Sequence, residues 1–76
     1  MSRAVDIIDA WINSARRRKM WDMVKPLWIA RDILEGKIIF TDEYREKMIP
    51  EIKKLLDGME NQKNEDLLQV RKELAL

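Results

Sequence analysis

Apolar residues recur at spacings of three and four along nearly the whole chain, and only two glycines, Gly36 and Gly58, interrupt residues that otherwise favour helix. Strand-type alternation is almost absent, so the pattern predicts an all-α chain. Seventy-six residues give room for a single domain with a thin core, because a chain of this size hides only about 60% of the surface it exposes when unfolded. Cys and His are both absent. Neither a disulfide nor a thiolate and imidazole metal site can staple such a core, which leaves regular helix packing or self-association to stabilise it. The expected architecture is a small three- or four-helix bundle over residues 1–76, with a kinked third helix and a weakly held C-terminal helix.

The first helix is expected over about residues 2–18. Ser2 is its candidate N-cap, and Val5, Ile8, Trp11, Ile12 and Ala15 make one apolar stripe. Asp6, Asp9, Asn13, Arg16 and Arg17 fall on the other side. The second helix, about residues 22–35, ends at a glycine C-cap in Leu34-Glu35-Gly36. Pro26 has no amide hydrogen and is expected in its first turn, with Asp22 as the cap. On a wheel of 100° per residue Met20, Met23, Val24, Leu27, Ala30 and Leu34 face inward. Trp21 and Trp28 share one edge of that arc, Ile33 takes the other, and Ile29 points outward. A helix apolar around so much of its circumference suits the centre of a bundle or a contact with a second molecule.

Ile38-Ile39-Phe40 reads as a short extended link. Thr41 followed by Asp42 and Glu43 then marks a strong helix start, a capping hydroxyl with two acids at the positive end of the dipole. The third helix is expected over about residues 42–57, with Tyr44, Met48, Ile49, Ile52, Leu55, Leu56 and Met59 on one stripe. Pro50 lies about 160° from Ile52 on the same wheel, on the solvent side, where a helix bends without breaking. A polar stretch over residues 58–64 leads to a cap at Asn64-Glu65-Asp66 and a last helix over about residues 65–75. Its apolar residues are Leu67, Leu68, Val70 and Leu74, with Arg71 among them. So weak an amphipathic helix is expected to depend on docking, onto its own bundle or a neighbouring chain, and deletion of residues 64–76 to leave a folded remnant if this arm is peripheral.

Net charge is only +1, but residues 1–38 carry eight Lys/Arg against five Asp/Glu, and residues 39–76 seven against nine. Most of the basic excess is one run, Arg16-Arg17-Arg18-Lys19. Four adjacent cations at a helix end either complement the negative end of its dipole, with Asp6 and Asp9 at the positive end, or grip phosphates. Lys25 follows closely, and tryptophans at a helix edge, such as Trp21 and Trp28, are the platforms on which single-strand binders stack bases. Trp11, on the stripe of the first helix, belongs in the core. Arg31, Arg45 and Arg71 fall on or beside apolar stripes, so each must reach a bundle end, pair with a carboxylate or meet a ligand.

Catalytic patterns are lacking. Asp42, Glu43 and Glu46 form a capping arrangement, and there is no glycine-rich phosphate loop, nucleophile elbow or ligand-spaced Glu/His pair, so no enzyme activity, cofactor, metal or small-molecule substrate is expected. A helix-turn-helix is disfavoured as well. The connection over residues 36–41 is too long for that motif, and its recognition helix would begin with Asp42-Glu43. No apolar run approaches the roughly 18 residues of a membrane span and no secretory signal core follows Met1, which points to a cytoplasmic protein without a membrane role. Two functions remain. One is a nucleic-acid-binding module using Arg16, Arg17, Arg18, Lys19 and Lys25, for DNA or RNA. The other is a protein-interaction adaptor, self-associating as a homodimer or larger bundle through a partner surface of Trp21, Trp28 and Ile29.

Overall fold

The computed structural model describes residues 3–37, 41–59 and 63–76. Four helices follow one another: α1 (Arg3–Arg17), α2 (Trp21–Glu35), α3 (Asp42–Asp57) and α4 (Asn64–Leu74). The proposed cap Ser2 and the link Ile38-Ile39-Phe40 lie outside the described residues, as does part of the polar stretch before α4.

Each helix contributes at least one side chain that is almost wholly buried: Ile8 from α1, Leu27 from α2, Ile52 and Leu56 from α3, and Val70 from α4. Removing such a side chain from water is worth about 1.5–3 kcal/mol, so all four helices are tied to one core. Trp11, Ile12 and Ala15 extend the α1 stripe inward as the wheel requires, and Tyr44, Met48 and Leu55 pack around the core from α3. The organising element is α2, which packs against α1, α3 and α4.

That central position corrects one expectation. Ile29 does not point outward; it is buried at 6% exposure. A single-stripe wheel assumes that a helix is covered on one side, whereas α2 is covered by three neighbours, and the residue opposite its main stripe is enclosed too. Trp21 and Trp28 remain the exposed part of the expected partner surface, at 59% and 47%.

The start of α2 also differs. Its first helical residue is Trp21 and its N-cap position is Met20, which supplies no side-chain cap, so Asp22 lies within the first turn and Pro26 inside the helix. The third helix does begin at Thr41, whose Oγ1 accepts a hydrogen bond from the Tyr44 amide at 3.2 Å. One unbroken helix then passes through Pro50, which is exposed. Water can therefore reach the Glu46 carbonyl that Pro50 leaves without a helical donor. For α4 the N-cap position is Lys63 and Asn64 is already helical.

The last helix docks on its own bundle, against α1 and α2. Val70 is fully buried and Leu67, Leu74 and Leu76 pack beside it. Glu73 reaches across to the start of α1, where its Oε2 accepts the Ala4 amide at 3.0 Å, and the Gln69 amide holds the same oxygen at 2.7 Å. A carboxylate from the end of the chain thus satisfies one of the orphan amides of the first helix and faces the positive end of its dipole. The Cα radius of gyration is 11.6 Å, against about 11.4 Å for a compact chain of this length, which leaves no room for an outlying arm.

Candidate functional site

The basic run sits at the turn between α1 and α2, and its shape follows from how α1 ends. The Lys19 amide donates to the Arg16 carbonyl at 3.1 Å and the Met20 amide to the Ala15 carbonyl at 2.8 Å, with Lys19 in the left-handed region at φ 56°. This is the Schellman arrangement, in which glycine is the usual left-handed residue. The same pattern closes α2, where Gly36 takes φ 71° and the Gly36 and Lys37 amides return to Ile33 and Asp32. At Lys19 a β-carbon accepts the left-handed strain, and the chain reverses over only Arg18, Lys19 and Met20.

The tight reversal lays the first residue of α2 beside the last turns of α1. Asn13, Arg16, Arg17 and Trp21 line one open groove of about 630 Å³. Arg18 falls on the other side of α1, in a cleft of about 620 Å³ whose apolar wall includes Trp11, Met20, Met23 and Met59 and whose charges are Arg18 and Asp66. The sequence run is therefore divided by the helix. Arg16 and Arg17 share a groove with a half-exposed indole, while Arg18 does not.

On α2, Lys25 and Trp28 follow Trp21 at four and seven residues, which places all three within about 60° on one face. Lys25 is exposed like the tryptophans. Asp32 continues this face at its far end, where it lies 3.9 Å from Arg31 Nε and bounds the basic and aromatic strip with a negative charge.

None of Arg16, Arg17, Arg18, Lys19 and Lys25 has a carboxylate within 4.0 Å among the described residues. The arginines on apolar stripes differ. Arg31 Nη1 donates to Asp9 Oδ1 at 2.8 Å, joining α2 to α1, and Arg71 Nη2 pairs with Asp57 Oδ1, joining α4 to the end of α3. The hydrogen bond to Asp9 raises the Arg31 pKa above its already high ordinary value, against a smaller opposing effect of burial. Arg31 and Arg71 are thus occupied by separate carboxylates on different helices and do not assemble the anion clamp that a cluster of Arg31, Arg45 and Arg71 would make. Arg45 is half-buried and has no ion pair among the described residues.

Two features escaped the sequence pattern. The groove itself depends on Lys19 adopting a left-handed conformation, which no glycine announces. The pairing of Glu73 with the start of α1 spans 69 residues and leaves no local signature. Among the described residues no group of three acidic side chains is placed to hold a metal ion, and no helix is long and apolar enough to cross a membrane. No family model, curated protein or solved structure matches this chain.

Proposed function

We propose that this protein is a nucleic-acid-binding module whose contact surface is the α1–α2 turn and the adjoining exposed face of α2. The observation that carries this reading is the shared groove of Arg16, Arg17 and Trp21, whose two guanidinium groups have no carboxylate partner among the described residues. Unpaired arginines on an exposed surface keep their five donors available to phosphate oxygens, and their guanidinium planes match phosphate geometry. Lys25 extends the positive charge along α2. Arg18 and Lys19, around the helix end, add to the local field without sharing the groove.

The protein-interaction alternative rests on the same tryptophans. It loses Ile29, and with it the third member of its apolar patch. What is left is two indoles among cations, a surface better matched to bases and phosphates than to the apolar centre of a homodimer interface, from which charged residues are depleted.

The test is the fluorescence anisotropy of a labelled mixed-sequence oligonucleotide titrated with the protein between 50 and 200 mM salt. With Arg16, Arg17 and Lys25 each neutralising one phosphate, affinity should fall about 40-fold over that range on duplex and about 20-fold on single strands. Arg16→Gln with Arg17→Gln should flatten the slope of log K against log salt by about 1.4–1.8. Absence of any salt-dependent binding at low salt would end this reading and return the cations to the role of a helix cap.

A further inference from the structure

We infer that the ligand of this surface is single-stranded, with Trp21 and Trp28 as two stacking platforms for bases of one strand; the inference rests on the nucleic-acid reading above. Trp21 and Trp28 are both on the exposed face of α2 and both keep about half of their surface in contact with water, unlike Trp11, which the same small core has buried to 7% exposure. A duplex keeps its base faces stacked inside and offers an indole nothing but sugar edges and phosphates, whereas an unpaired strand presents its base faces freely.

The spacing fits one strand. Seven helical residues advance about 10.5 Å along the axis, well beyond the roughly 3.4 Å between bases stacked on one another, so each indole can take a different base of an unstacked strand. A strand lying along α2 would therefore meet the second indole with a later base than the one on the first. Lys25 lies between the platforms on the same face, positioned for the phosphates that join those nucleotides. Arg16 and Arg17 extend the cationic track from the α1 side of Trp21, with Asn13 beside them as a polar neighbour. At the other end the track stops at Asp32, whose carboxylate repels a further phosphate. The contact is bounded by Arg16 and Arg17 at one end and Asp32 at the other, which places it at the small end of the range of single-strand sites.

The experiment compares three probes on the full chain over a salt series from 50 to 200 mM, with affinities compared at the lowest salt: an eight-nucleotide oligothymidylate, a duplex of the same length, and an eight-unit abasic oligomer with the same backbone charge. Binding is read by anisotropy and by quenching of tryptophan emission. The oligothymidylate should bind at least tenfold more tightly than either of the others and quench the emission. Trp28→Ala should weaken its binding about 5- to 150-fold with the salt slope unchanged, and Trp28→Phe, which keeps a smaller ring, should restore part of the loss. Circular dichroism of both variants establishes that they remain helical. If Trp28→Ala unfolds the chain, Trp28→Phe and Lys25→Gln carry the test, the first reducing quenching and the second flattening the salt slope by about 0.7. Equal binding of all three probes, with the Trp28 variants unaltered, would overturn the single-strand inference and leave a binder of phosphate backbones. Failure of every probe to bind would remove the nucleic-acid reading itself.

Discussion

Two sets of arginines on the same small bundle are treated in opposite ways. Arg31 and Arg71 lie where their helices meet others, and each is hydrogen-bonded to a carboxylate on a different helix, Asp9 and Asp57. Arg16 and Arg17 lie on the exposed side of α1 with no carboxylate in reach among the described residues, beside an indole that is more than half exposed. A guanidinium partly covered by neighbouring helices, as Arg31 and Arg71 are, gains modestly from a carboxylate held beside it. The charges of Arg31 and Arg71 are thus spent on contacts between helices, and those of Arg16 and Arg17 on none among the described residues.

This contrast implies that the paired region governs stability and the turn does not. The largest test is deletion of residues 64–76. It removes Val70 from the core, Arg71 from Asp57 and Glu73 from the amide of Ala4, so a loss of more than about 4 kcal/mol is expected, much of the stability of a domain this small. Thermal melting followed by circular dichroism should lose its cooperative transition. A remnant that melts near the temperature of the intact chain would restore the peripheral arm that the weak stripe of α4 suggests.

Smaller effects come next. Arg31→Ala should cost about 1 kcal/mol, a modest figure because both partners are partly exposed and the pair is screened by solvent. In a double-mutant cycle with Asp9→Ala, measured by urea unfolding, a coupling of about 0.5–1 kcal/mol is expected; no coupling would place Arg31 with the unpaired arginines. The left-handed residues that close α1 and α2, Lys19 and Gly36, make a matched pair. Gly36→Ala should cost about 1 kcal/mol, since a β-carbon there meets nothing within 4 Å and only the backbone is strained. Lys19→Gly should do the reverse and gain about 0.5 kcal/mol, which for a domain of this size raises the midpoint by roughly 2–4 °C. A loss of stability at Lys19→Gly would mean that the lysine side chain holds the turn. The smallest effect is expected from Arg16→Gln with Arg17→Gln, within about 0.5 kcal/mol of the parent in the same unfolding assay.

Much of the fold was legible because its causes are local. The 3.6-residue stripes, the Thr41 cap and the glycine closing α2 each act within a few residues; the cap and the glycine appear where the pattern places them, and the stripes do for most of their residues, with Met20 and Leu68 exposed against it. Ile29 was misread because its burial depends on how many helices surround α2, which no property of α2 alone determines. The start of α2 was misread for a related reason. A Schellman turn at Lys19 delivers the chain into a new helix at Trp21 without a side-chain cap, and no residue type there signals it. Of the candidate site, the cations and edge tryptophans were visible as residue types. Their division by α1, with Arg16 and Arg17 on the Trp21 side and Arg18 on the other, follows from the tertiary turn.

The most direct measurement is a chemical-shift map of the ¹⁵N-labelled protein titrated with a short oligothymidylate. The backbone amides of Asn13, Arg16, Arg17 and Lys25 and the indole N–H groups of Trp21 and Trp28 should move progressively with added strand, while those of Arg31, Arg71 and the buried Trp11 indole stay in place. Shifts confined to the paired arginines, or to the exposed Leu68 face of α4, or no shifts at all, would contradict the account.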